Sequence, residues 1–180
     1  MSDVAERFRN VAAQFTVRVE AADGAWDNPS PCEGWVARDI IRHMVAWMPG
    51  YFLGAHGFEA PEIPSVDVDP AGAWTSLRDA IQSALDGSAR THEQATSDGM
   101  TLEQAVGAYG IGDVLIHTWD LARAAGLDDT LDAGEVHRAF QALNRPGEQV
   151  LQNGHFAPRV EVADDASEQT RLIALTGRRV

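Results

Sequence analysis

Apolar residues recur along this chain at helical spacing, and that repeat limits the folds open to it more than any other feature. Val4, Phe8, Val11, Phe15, Val19 and Ala22 follow one another at steps of three and four. Such steps stack side chains on one helix face, and Gly24 helps to end the helix. After the turn-rich Asn28-Pro29-Ser30-Pro31, a second helical segment is expected from about Val36 to Leu53. Its inward positions are Ile40, His43, Trp47 and Gly50, and Pro49 should bend or end it. Residues 57–70 carry three prolines and several acids and read as a loop. Asp69 then suits an N-cap with Pro70 at the first helical position, and Trp74, Leu77, Ile81 and Ala84 form the buried stripe.

Thr101-Leu-Glu-Gln104 has capping-box spacing and opens a fourth helix running to about Ala125, before Gly126. Gly107, Gly110 and Gly112 weaken its first half, so its start is expected at the box or somewhat later. A fifth helix over about Asp132 to Asn144 stops at Pro146. Gly154 to Asp165 alternates around Val160 and Val162 and reads as extended and exposed, and a last short helix from Ser167 to Thr176 is closed by Gly177. The expected architecture is a single all-α domain over residues 1–180. It is a bundle of four long helices with short extra helices and an extended C-terminal segment.

Composition narrows the chemistry. All 14 basic residues are Arg, so no Schiff-base lysine, P-loop lysine or lysine general base is available. A net charge of −13 argues against a nucleic-acid partner, which needs clustered cations. The one cysteine, Cys32, has no internal partner for a disulfide. Met1 to Arg9 lacks a signal-peptide core, and Met44 to Phe58 is broken by Pro49 and three glycines. No membrane span is expected, and the expected location is the cytoplasm.

One local pattern stands out in the fourth helix: Asp113-Val-Leu-Ile-His117-Thr-Trp-Asp120. At about 100° per residue, Asp113, His117 and Asp120 share an arc of about 60°. An acid and a histidine four apart suit a divalent metal, and carboxylates facing a core are costly unless paired or metal-bound. His43, on the inward stripe of the second helix, would complete a set of two histidines and one carboxylate with open coordination positions. Other arrangements stay open at this point: a solvated acid–histidine pair, an Asp–His hydrogen bond, an Asp120–Arg123 contact, or His43 as a packed core histidine. His56, His92, His137 and His155 read as solvated, and Cys32 has no histidine placed to activate it. Trp35, Trp47, Trp74 and Trp119 read as core, and Trp26 as core or loop.

Pro31-Cys-Glu-Gly-Trp35-Val-Ala-Arg38-Asp39-Ile-Ile-Arg-His43 resembles the first signature of actinobacterial DinB-like proteins. These are related to the N-terminal domain of mycothiol-dependent maleylpyruvate isomerase. Asp113-Val-Leu-Ile-His117-Thr-Trp119-Asp120-Leu-Ala-Arg123-Ala resembles the second, and the tail from Phe156 through Arg171-Leu-Ile-Ala-Leu-Thr-Gly-Arg-Arg is similar to the end of single-domain members. The resemblance implies a four-helix bundle that holds a divalent metal, zinc or another ion such as nickel, through His43, Asp113 and His117. The isomerase branch has Glu at the middle position. Asp113 is one methylene shorter, which alters the metal preference or lets Asp120 share the role. Val36 stands where the family carries a Ser or Thr cap. Nothing here corresponds to the isomerase's C-terminal domain, so maleylpyruvate is not the expected substrate.

The resemblance further implies mycothiol as cosubstrate, activated as its thiolate and acting on a small electrophile in S-transfer or isomerisation. Asp120 would orient a ligand or accept a proton, and Arg38, Arg42 or Arg123 would pair with a carboxylate on thiol or substrate. The absence of Lys beside 14 Arg fits a GC-rich, actinobacterial host. The alternative is a non-catalytic bundle that binds metal or senses a ligand, dimeric through exposed apolar helix faces.

Overall fold

A computed structural model describes residues 3–88, 99–144 and 156–180. Among these residues every regular element is helical, as the apolar periodicity requires. Helix α1 spans Asp3–Ala21. Phe8, Val11, Phe15, Val19 and Ala22 of its stripe are buried.

Helix α2 spans Ala37–Met48. Val36 provides no side-chain cap, but the Asp39 carboxylate accepts the Val36 N–H at 2.8 Å and so satisfies one donor of this first turn. Pro49 does not release the chain into a loop. A π-helical turn over Pro49–Leu53 and a 3₁₀ turn over Gly54–His56 carry it on. The wider π turn shifts the register, and Gly50, expected inside, is exposed. Ile40, Ile41, Met44 and Met48 fill the core, while His43 and Trp47 sit half-buried at its edge.

Helix α3 spans Pro70–Ser88, and Asp69 caps it by accepting the Gly72 N–H at 2.7 Å. Trp74, Leu77, Ile81 and Ala84 are buried. The Trp74 ring stands edge-on to Phe15 with centroids 4.6 Å apart, and its indole N–H reaches Thr16 Oγ1 at 2.9 Å. Helix α4, Leu102–Ala105, starts at the Thr101 capping box. A second π turn, Val106–Gly110, leads directly into α5, Ile111–Ala125, which Gly126 ends. The glycines therefore widen the helix instead of delaying its start. Helix α1 packs on α3 and α5, and α2 packs on the same two, which closes the four long rods around one core.

Helix α6, Ala133–Leu143, is capped by Asp132. The expected stop at Pro146, the start of the extended segment at Gly154, and His92 and His155 lie outside the described residues. From Phe156 the chain runs without regular structure, tied by Val160 N–H to Ala174 O at 2.9 Å. Helix α7 spans Glu168–Leu175, capped by Ser167, and packs on α6. No helix among the described residues is long and apolar enough to cross a membrane.

Candidate metal centre

The α2–α5 face gathers the three residues singled out by pattern. His43 Nε2 lies 3.5 Å from Asp113 Oδ1, and His117 Nε2 lies 3.7 Å from the same oxygen. One ligand atom from each residue falls within 4.8 Å of the others. Asp113 Oδ2 is buried with no hydrogen-bond partner, an unsatisfied acceptor of the kind a protein interior rarely tolerates. His43 and Asp113 keep 34% and 22% of their side-chain surface, so the cleft opens to solvent on one side.

Trp35 walls this cleft. Its ring stacks on His117 at 6.0 Å and 20°, and its centroid lies 5.3 Å from that of His43. The loop before α2 places it there. Trp35 N–H donates to Cys32 O at 3.0 Å, with Gly34 at φ 77° in the turn. Asn28 Nδ2 bonds Ala124 O at 3.0 Å and pins the loop to the end of α5. Trp35 packs half-buried against the core, as expected, and its ring also faces the site.

Behind the cleft lies a second, closed cluster. His117 Nδ1 approaches Asp120 Oδ2 at 2.8 Å, and Asp120 is fully buried. Arg178 grips that carboxylate side-on, Nε to Oδ1 at 3.2 Å and NH2 to Oδ2 at 2.8 Å. Cys32 Sγ completes the cluster, 3.4 Å from Asp120 Oδ2 and 3.2 Å from the Arg178 NH2. Burial pushes the Asp120 carboxyl up. The hydrogen bond from His117 and the charges of His117 and Arg178 outweigh it and hold the group below its ordinary value. Burial, reinforced by the Asp120 charge, pushes the Cys32 thiol up to about 12. Cys32, Asp120 and His117 also bring ligand atoms within 4.8 Å of one another, but the thiol bonds Asp120 and Arg178 and is pushed up, so His117 stands near it without activating it.

The remaining candidates lie elsewhere. Arg38 pairs with Asp27 at 2.8 Å, and Arg42 pairs with Asp39 and with Asp67. Arg123 reaches Asp129 at 3.3 Å and covers the Trp119 ring, so it makes no contact with Asp120; Arg178 takes that place. His56, expected to be solvated, is buried in its 3₁₀ turn with Nδ1 2.9 Å from Phe52 O. His137 is exposed and pairs with Glu168. Arg178 carried no local signal, because it sits 58 residues beyond Asp120 and only the folding of α7 brings the two together.

Fold and site together define a class: helical bundles that gather two histidines and an acid from facing helices at a half-open cleft. The family model for the mycothiol maleylpyruvate isomerase N-terminal domain matches residues 8–122, and the chain belongs to that family. The match includes His43, Asp113, His117 and Asp120 and stops before Arg123, so the tail likeness lies outside it. Comparison with curated proteins and with solved structures finds no match.

Proposed function

We propose that the protein is a metal-dependent enzyme that applies a low-molecular-weight thiol, mycothiol in an actinobacterial cytoplasm, to a small electrophile by S-transfer or isomerisation. His43, Asp113 and His117 would hold the ion. Their spacings of 3.5 and 3.7 Å lie close to the edge of a tetrahedral zinc site, about 3.4 Å for ligand bonds of about 2.0–2.1 Å. The observation that carries the proposal is the Asp113 carboxylate, whose Oδ1 lies within 3.7 Å of two imidazole nitrogens and whose Oδ2 is buried with no hydrogen-bond partner. Oxygen and nitrogen donors of this kind suit zinc, and nickel fits them too. All three come from one chain, so the proposal needs no second copy.

A divalent ion held there makes the thiolate of a coordinating thiol available at neutral pH. Cys32 supports an external source for that thiol, because its own is pushed up to about 12 beside Asp120. Asp120 accepts the His117 Nδ1–H and leaves the Nε2 lone pair facing the cleft. Arg38 and Arg42 precede His43 on α2. Asp27 and Asp67 among their present partners are exposed carboxylates, pairs worth about 0–1 kcal/mol, so an anionic group on thiol or substrate can replace those two contacts at small cost, while Arg42 keeps Asp39.

Metal analysis of the purified protein beside His43→Ala and His117→Ala tests the site. Bound metal in the wild type and loss in both variants is expected; equal content in all three would sink it. An assay of mycothiol with generic electrophiles then separates enzyme from binding module. Turnover lost to chelator and restored by metal supports the enzyme, whereas bound metal without turnover leaves the non-catalytic bundle.

A further inference from the structure

The C-terminal segment, beyond the matched domain, reaches the core of the site through one side chain. Helix α7 ends in a Schellman turn. Gly177 N–H bonds Ala174 O at 3.1 Å and Arg178 N–H bonds Ile173 O at 3.3 Å. Gly177 sits at φ 85°, and a Cβ there would lie 2.6 Å from Ala157, so the turn admits no other residue without strain. This geometry aims the next side chain inward. The Arg178 guanidinium is almost wholly used: Nε and NH2 on Asp120, NH2 on Cys32 Sγ, NH1 on Thr176 O at 3.1 Å. Its side chain keeps only 9% of its surface and that of Asp120 none, so little of it is left for substrate.

We propose that Arg178 is the positioning residue of the candidate centre: by gripping Asp120 it fixes His117 as the Nδ1–H tautomer and aims Nε2 at Asp113. The physics is that of an outer layer around a ligand. An ionised carboxylate accepts only, so it obliges His117 Nδ1 to carry the proton. A side-on, two-bond grip by Arg leaves that carboxylate one orientation, which a single point charge would not. Without it, Asp120 is free to turn, and His117 loses the bond that selects its tautomer. The inference rests on the metal proposal for its consequence, and on geometry alone for the tautomer.

The experiment has two arms. Zinc affinity is measured by chelator competition for the wild type, Arg178→Ala, Arg178→Lys and Arg171→Ala. Arg171 lies on α7 over the Phe140 ring, 4.7 Å from its centroid, and serves as a control for loosened docking of that helix. The expected result is a loss of about ten- to hundredfold for Arg178→Ala, a smaller loss for Arg178→Lys, and less than threefold for Arg171→Ala. Arg178→Ala within threefold of the wild type, or a loss in Arg171→Ala of the same size, overturns the proposal. Arg178→Gln takes the same thresholds if the alanine variant does not fold. The second arm reads the His117 tautomer by ¹⁵N NMR in the metal-free protein at pH 8. A single Nδ1–H form in the wild type and a mixture in Arg178→Ala is expected, and one unchanged form in both overturns the proposal. A wild type that binds no zinc sinks the metal proposal alone, because the tautomer arm still decides this one.

Discussion

His117 divides the molecule's ionisable interior into two regions of opposite character. On its Nε2 side, His43 and Asp113 are partly open to solvent, and a carboxylate oxygen has no partner. On its Nδ1 side, Asp120 and Arg178 are packed out of water, Cys32 is half-buried against them, and each contacts the others. Both regions mix acid with cationic or polar groups, so composition does not separate them. The difference lies in satisfaction: one side has used up its donors and acceptors, and the other has lone pairs to offer. A ligand site needs the second condition, and a fixed support needs the first.

The largest expected contrast concerns the closed side. Cys32 moves from an ordinary 9.0 to about 12 in the fold, three units that leave about a thousandfold less thiolate at pH 8. A thiolate of higher pKa is the better nucleophile, so iodoacetamide should label native Cys32 about thirty- to sixtyfold more slowly than the denatured chain. A native rate within tenfold of the denatured one would show that this region is not closed. The sign for stability follows. Because the folded thiol holds its proton more tightly, its contribution is intact below pH 9 and is lost as pH rises from there through about 12.

Next in size is Asp120→Asn. It removes the charge that offsets Arg178, whose side chain keeps 9% of its surface against 0% for Asp120, and breaking a buried pair on one side costs about 3–5 kcal/mol. Metal affinity should fall by about ten- to hundredfold, since an amide supports His117 less firmly than a carboxylate. Thermal unfolding and chelator competition on one preparation read both effects. Asp120 also sets an acid limit. Its carboxyl is held below its ordinary value, so the stabilisation it gives is present above pH 4 and is lost as pH falls through the lowered folded value. Asp120→Asn should flatten that acid limb; an unaltered limb would show that other carboxylates set it.

Much of this contrast was legible in the residues, and the illegible part has a physical reason. The open side depends on two helices whose apolar repeats set their faces, so His43 on the α2 stripe and His117 four residues after Asp113 followed from periodicity. Thr101 and Asp69 likewise announced their helices through caps. The closed side is built from turns. Cys32 depends on the bend at Gly34, and Arg178 on a C-terminal turn, neither of which repeats along the chain. Gly177 marked the end of α7 but not the direction of the side chain that follows it. The two π turns escaped for the same reason, because a single wide turn within a regular helix does not repeat along the chain.

The smallest expected effect sharpens the division most. Cys32→Ala deletes a thiol that meets Asp120 Oδ2 at 3.4 Å, a long contact, while the same oxygen keeps His117 and Arg178 at 2.8 Å each. If the closed cluster acts only as a support, the shorter bonds hold Asp120 in place and zinc affinity should change less than threefold. Stability should fall by about 1 kcal/mol, as for other losses of a small half-buried group. Cys32, His117 and Asp120 nevertheless present ligand atoms as close together as the open set does. A loss of tenfold or more in Cys32→Ala, with His43→Ala silent, would place the ion on the closed side. Arg178 weighs against that outcome. Its guanidinium lies 3.2 Å from the sulfur and 2.8 Å from the carboxylate, and already supplies the positive charge that a second cation would have to displace.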